Sequence, residues 1–550
     1  MNQRVAVIGA GPSGLVCLKE LLAEGHAATA FEASDALGGV FRSSRDGGRS
    51  YASMRLTSSN YVTAYSDFPP TEREPCHWRH DQYLAYLGRY AARFDLLRHV
   101  RFSTRITRIE PHKRGWRVTS VDPSGERVED YDAVAVCSGV VQRPHIPDCP
   151  GLARFGGAVV HSADYHDAAP FAGKRVVIVG GGETAVDLAN EISMVAERCH
   201  VSLRDGQWIV PRKVRGAPND FHTTRMLHGL PRPMLNGLSR LRAALLLGAS
   251  RLPVAGRLVS PATALRARLL HEAGRGCFAQ FAVKSEAMIR PLLEGRCIRR
   301  GAIERFEPGA VVFRSGERAE VDVVVFCTGY RQSFEFLGEL AIDYGRLYHR
   351  CFTPEHAERL AFIGFARPAI GAIPPIAEMQ SRWLALLLSG RRHLPGRDAM
   401  RAVGAEELAA RRAQFGELAD RLQALVDYAP YQDTLAAEIG CRPDLYAIAR
   451  AEPRLAWKLF AGPYLGAQFR LSGPHADPAT ARSTLDRVRP ALGGCFMAFL
   501  LLCHLCAAFA AALGFRPWRP ALRLGERRAV LWRRPPTAGL GSPAGHARNG

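Results

Sequence analysis

The chain has 550 residues, of which 47% are hydrophobic and 23% charged, with a formal net charge of +21. That length holds two or more domains, and the composition is that of a folded globular protein. Only six of the 73 basic residues are lysines and the arginines are scattered; with no helix-turn-helix, zinc-finger or RNA-binding signature, the charge is read as compositional drift, and no nucleic-acid partner is expected.

The first element is an apolar strand, residues 5–8, followed by Gly9-Ala10-Gly11-Pro12-Ser13-Gly14 and a helix over 15–24. The spacing is that of a mononucleotide-binding βαβ unit. Gly9 allows the tight turn, Gly11 lets backbone approach a pyrophosphate, and Gly14 permits close helix–strand packing. A second strand, 27–31, ends at Glu32, 18 residues after Gly14, where a carboxylate accepts hydrogen bonds from a ribose. Leu37-Gly38-Gly39-Val40-Phe41-Arg42 follows directly. A Gly-Gly-aromatic segment at this place points to FAD rather than NAD, with Val40 and Phe41 against the cofactor. The polar stretch Leu56-Thr57-Ser58-Ser59-Asn60 reads as a loop suited to lining a flavin pocket, or else as solvated surface.

Residues 81–94 have helical spacing, and 101–108, 116–121 and 127–136 form a small meander whose last part, 133–136, rejoins the first sheet. Cys137-Ser138-Gly139 closes that strand and parallels Cys327-Thr328-Gly329 at the end of the apolar run 323–326.

The stretch 155–204 carries a second dinucleotide site. The strand 175–179 runs into Gly180-Gly181-Gly182, with Thr184, Ala185, Val186 and Asp187 in the following helix and Ala185 in place of the third glycine. Arg204 ends the next strand. A guanidinium pairs bidentately with a 2′-phosphate, which favours NADP(H), while neighbouring Asp205 keeps NAD open. Residues 212–300 read as a basic, Leu-rich insertion without strand signals, with an amphipathic helix over 238–247 that either packs on the protein or meets a membrane surface.

The expected fold is therefore α/β: two nested Rossmann-like dinucleotide-binding domains with a helical insertion and a helical, hydrophobic C-terminal tail. The FAD domain is assigned 1–150 plus 322–390, the NADP domain 151–321, and a C-terminal helical region 391–490. The thirteen cysteines form no disulfide framework and read as reduced thiols. The strand that starts at residue 4 leaves no room for a signal peptide, so the catalytic part is expected to face the cytoplasm.

With these residues in place, the chain resembles the flavin-containing monooxygenases, class B FAD/NADPH enzymes. Phe155-x-Gly157-x-x-x-His161-x-x-x-Tyr165 matches that family's fingerprint between two Gly-rich sites. Cys327-Thr328-Gly329-Tyr330 resembles its Ala-Thr-Gly-Tyr turn, and Glu378-Met379-Gln380-Ser381-Arg382-Trp383 a further family run that would bring Arg382 to the cofactor. The segments 426–431, 439–444 and 468–474 resemble the C-terminal region of animal-type members. The resemblance implies that NADPH reduces FAD, that O2 then gives a C4a-hydroperoxyflavin, and that a small nucleophile, an amine nitrogen or a thioether sulfur, takes the distal oxygen. No acid–base triad is needed, and His161 and Tyr165 are expected to be structural. Thr57 stands where the family has an Asn beside the flavin, and Asn60 is the other candidate for that role. The change leaves open an uncoupled NADPH oxidase releasing hydrogen peroxide, and a membrane protein that binds nucleotide without turnover is a third reading.

Residues 491–515 carry no charge and one histidine, His504. Arg487 and Arg489 precede the stretch and seven arginines follow it, so a single crossing would break the positive-inside rule. A segment dipping into or lying on the cytoplasmic face of a membrane, as a peripheral or monotopic anchor, is the expectation. Cys503 and Cys506 within it read as packing, and 535–550 as disordered.

Overall fold

Arg4–Ile8 is apolar and buried on both faces beyond its exposed first residue, the condition of a strand inside a parallel sheet. It pairs with Ala27–Phe31 on one side and Ala133–Val136 on the other, both in parallel. Val100–Arg101 and Ala357–Phe362 extend this sheet, and Phe352–Thr353 adds an antiparallel edge, making six strands. The computed structural model describes residues 2–512, apart from 339, 341 and 420–422.

A second, five-stranded parallel sheet runs in the order Cys297–Arg300, Arg198–Ser202, Arg175–Val179, Val323–Phe326, Ala158–His161. Two sequence boundaries move. Val323–Phe326 is an inner strand of this second sheet, with Val177 opposite Val324, so the chain rejoins the FAD sheet only later, at Phe352–Thr353. Cys297–Arg300, assigned to a strandless insertion, is an edge of the same sheet. An apolar strand buried on both faces carries no mark of which sheet it will enter. The meander is present as Arg105–His112, Gly115–Asp122 and Gly125–Tyr131. The insertion contains the helices Arg232–Ser250 and Pro261–Glu272.

The helix that follows the first strand, Pro12–Ala23, packs against Ile373–Leu388, a helix buried almost all round. Their junction holds a buried charge cluster. Arg470, 2% exposed, donates to Glu20 (2.6 Å), Glu378 (2.8 Å) and Asp67 (3.3 Å). Lys19 pairs with Glu20 at 3.1 Å and also with Asp67. Burial alone would raise the Glu20 pKa, but Arg470 and then Lys19 override it and hold the carboxyl far below its ordinary value of 4.5.

Gly494–Ala512 is helical. Leu500 packs with Met226, Leu235, Phe460 and Leu492, and the His504 ring is 2.7 Å from the Met226 carbonyl. Phe496, Phe499, Leu501, Leu502 and Leu505 of the same helix are exposed. Among the described residues, no helix is long and apolar enough to cross a membrane. The segment 535–550 lies outside the described residues.

Arg470→Met should destabilise the protein by about 3–5 kcal/mol, because it strands buried carboxylates without their cation; thermal and urea unfolding measure it. Because the Glu20 pKa lies below its unfolded value, the stability it contributes is complete above about pH 4.5 and lost on acidification. Stability of the parent should therefore fall below that pH.

Candidate functional site

At the first turn, Gly9 has φ +110°, and a Cβ there would lie 2.9 Å from the Cys137 carbonyl oxygen. The backbone of Gly11 faces that of Gly39, leaving a groove that side chains would fill. The Gly38 N–H donates to the Ala10 carbonyl at 3.1 Å, which lays the short helix Gly39–Phe41 over the turn. Phe41 of that helix meets Tyr83 edge to face at 4.7 Å, while Val40 is half-buried. Glu32 accepts from the Ala10 N–H (2.8 Å) and from the N–H and hydroxyl of Ser34, so its carboxylate sits at the turn itself. Pro12 and Ser13 begin the helix, and Gly14 seats it against Gly9.

The loop carrying Thr57 is held from three sides. Leu56 N–H donates to the Trp78 carbonyl at 2.8 Å, and the Ser58 hydroxyl accepts from Thr63. Asn60 is fully buried, and its side-chain oxygen accepts from the Tyr61 and Cys76 N–H groups, both at 3.0 Å. That oxygen is thus committed to shaping the loop. The half-buried Thr57 hydroxyl has no hydrogen-bond partner among the described residues. The third support comes from the insertion, where Asp220 accepts from the Ser59 N–H at 2.6 Å. Burial raises the Asp220 pKa to about 6, against the pull of Ser59 and Lys284.

At the second turn Gly180 has φ +128°, with the Cys327 carbonyl oxygen 2.5 Å from the position of a Cβ, while at Gly182 that position is open. Gly182 caps the helix Glu183–Ile192. Ala185 and Val186 are fully buried against the sheet, which makes them packing residues; Thr184 is half-buried. Arg204 is exposed two residues beyond the strand Arg198–Ser202 and has no ion-pair partner among the described residues.

The same helix aims a carboxylate stripe, Glu183, Asp187 and Glu191, at the rest of the chain, because residues four apart share a helix face. Asp187 accepts from Tyr51 (2.8 Å) and Ser285 (2.7 Å) and pairs with Arg212 (3.2 Å). Its oxygens are spent on Tyr51 of the FAD domain and on two residues of the insertion, which the sequence reading of a cofactor contact did not anticipate. Glu191 accepts from Tyr165 at 2.7 Å and from Ser53. His161 accepts from the Ala163 N–H and lies 3.1 Å from the Gly329 carbonyl, at the passage between domains. Arg382 is also elsewhere. Fully buried, it donates to the carbonyls of Phe469 (3.1 Å) and Pro474 (2.9 Å), which makes it a tether for the C-terminal segment rather than a cofactor contact.

Comparison with known proteins follows the geometry. The model of the flavin-binding monooxygenase-like proteins matches residues 2–490. The chain belongs to this family. The 4-hydroxybenzoate brominase (decarboxylating) of Marinomonas mediterranea is 37% identical over 494 residues, covering 88% of this chain and 93% of that one. Flavin-containing monooxygenase 5 of Rattus norvegicus is 32% identical, covering 89% and 93%. The S-allyl-L-cysteine S-oxygenase of Allium sativum shares the fold, with a TM-score of 0.59 at 24% identity, over 88% of this chain and 99% of that one.

The flavin monooxygenase is thus an FAD- and NADPH-dependent enzyme, and its two turns fit those cofactors. The groove between Gly11 and Gly39 would hold the FAD pyrophosphate beside Glu32, and the open N-terminus at Gly182 the second diphosphate. Sequence reading missed Tyr51, Asp220 and Lys284. None sits in a motif, and only their partners on distant segments reveal them. Arg204→Ala should weaken NADPH binding about tenfold, a loss of about 1.4 kcal/mol, with NADH unchanged; parallel equilibrium titrations with the two nucleotides measure it.

Proposed function

We propose that the enzyme delivers one oxygen atom of O2 to a soft nucleophile, an amine nitrogen or a thioether sulfur, with Thr57 beside the flavin. Bound FAD, reduced by NADPH, supplies the oxygen chemistry. The chain's own residues bind, orient and exclude water. What carries the reading is the half-buried Thr57 hydroxyl, without a hydrogen-bond partner among the described residues, on a loop whose shape is held by the Asn60 side-chain oxygen and by Asp220 on the Ser59 N–H. A hydroxyl without a protein partner can orient a ligand without consuming or supplying a proton, in keeping with a reaction whose reactive centre is the cofactor's.

A halide-accepting enzyme is the second reading, favoured by the 37% identity to a protein named as a brominase. Bromide is itself a soft nucleophile. Incubation with NADPH, O2 and either a tertiary amine, a thioether, or bromide with a phenol separates the two by mass spectrometry. An N- or S-oxide supports the first; a brominated phenol with no oxide overturns it. Restoring the amide with Thr57→Asn should lower the peroxide released per NADPH several-fold. Unchanged peroxide would remove the role given to position 57.

For localisation we propose contact with the cytoplasmic face of an anionic membrane. Leu241 and Leu245 of Arg232–Ser250 are exposed, as are Leu502 and Leu505 of the tail helix, and the two helices share one apolar cluster through Leu235 and Leu500. Arg240, Arg242 and Arg251 flank the leucines of the insertion. Leucines that enter the interface beside arginines facing anionic headgroups are the pattern of a surface-bound helix. The full-length enzyme should sediment with phosphatidylserine-containing vesicles, and the paired Leu245→Asp and Leu502→Asp variant should remain in the supernatant.

A further inference from the structure

Glu183 is the first residue of Glu183–Ile192, directly after the capping Gly182. Its carboxylate therefore lies at the helix end where a dinucleotide's diphosphate is held. A negative charge there opposes the ligand's own. Two cations reach it from other parts of the chain. Lys284, from the insertion, places Nζ 3.3 Å from Oε1, and Arg367, from the segment after the first sheet's Ala357–Phe362, stands 3.5 Å from Oε2. Both lie over the ring of Phe281, at 4.9 and 4.3 Å.

Lys284 is 4% exposed, and its ammonium also donates to the Ala369 carbonyl at 3.2 Å. Burial pulls its pKa below the ordinary lysine value, with Glu183 acting against that pull. Neither cation has a second carboxylate within ion-pair distance among the described residues. Asp220 attracts Lys284 from beyond that distance. Two cations thus share one carboxylate at the mouth of an anion site, and the position of a Cβ on the adjacent Gly182 meets only open space. Charge-assisted hydrogen bonds to a phosphate would use the donors that one carboxylate cannot fill.

We propose that Glu183, Lys284 and Arg367 form a latch for the diphosphate of NADP(H): Glu183 holds the two cations in place while the site lacks its anion, and they turn to the diphosphate when it binds. The proposal rests on the assignment of NADP(H) to this turn. The exchange would tie the insertion, through Lys284, and the segment following the FAD sheet, through Arg367, to one nucleotide. Oxidised cofactor would then leave only when both cations return to Glu183. Glu183 has a sign opposite to an ordinary binding residue, since it competes with the ligand for the same donors.

Calorimetric titration of the oxidised, FAD-loaded enzyme with NADP+ and with 2′-AMP, which carries the 2′-phosphate but no diphosphate, tests this. Glu183→Gln should bind NADP+ at least threefold more tightly, and Lys284→Met at least tenfold more weakly. Both should bind 2′-AMP as the parent does. Equal weakening of both ligands by Lys284→Met would reduce that residue to a support of the fold, and unchanged or weaker NADP+ binding by Glu183→Gln would overturn the latch. Failure of the parent enzyme to bind NADP+ would instead remove the cofactor assignment on which it rests.

Discussion

The architecture depends on the carboxylate stripe of the helix Glu183–Ile192. A Rossmann helix ordinarily needs one apolar face toward its own sheet, and Ala185, Val186, Leu188, Ala189 and Ile192 provide it. The opposite face carries Glu183, Asp187 and Glu191, which would be solvent-exposed in an isolated domain. Here each meets a donor from another part of the chain: Lys284 and Arg367, then Tyr51, Ser285 and Arg212, then Tyr165 and Ser53. Through these half-buried carboxylates the helix is tied to the FAD domain at Tyr51, Ser53 and Arg367 and to its own domain's insertion at Arg212, Lys284 and Ser285, without the cost of a wholly desolvated pair.

The other fixed point is Arg470. It joins the helix after the first nucleotide turn to Ile373–Leu388 and to the C-terminal segment, so residues hundreds of positions apart set the orientation of the FAD helix. Arg382 does related work beside it through the carbonyls of Phe469 and Pro474. Arg382, expected from sequence at the cofactor, and Arg470 are in this way consumed by the scaffold, while Arg204 has no ion-pair partner among the described residues.

Between these supports the flavin loop is defined by subtraction. The Asn60 oxygen bonds the backbone on both sides of its loop, and Asp220 reaches in from the insertion to take the Ser59 N–H. The insertion thus contributes to the shape of the site from outside either nucleotide domain. The half-buried Thr57 hydroxyl and the buried Asn60 amide nitrogen are without hydrogen-bond partners among the described residues, so these two positions help set which hydrogen bonds the loop can offer.

By itself the sequence determined the two nucleotide turns, the acid at Glu32, the cation at Arg204 and the meander between them. Each depends on backbone conformations and side-chain reach within a few consecutive residues. Gly9 and Gly180 need positive φ, and that requirement is local. Tertiary structure decided the membership of Val323–Phe326 in the second sheet, because a doubly buried apolar strand is compatible with either one, and that of Cys297–Arg300, a half-buried edge strand whose two arginines hide it in the sequence. It also decided which polar side chains are spent on contacts within the protein. Arg382 and Asp187 are buried or half-buried polar groups that must be satisfied, and their partners lie on segments brought near only by the folding of the whole chain.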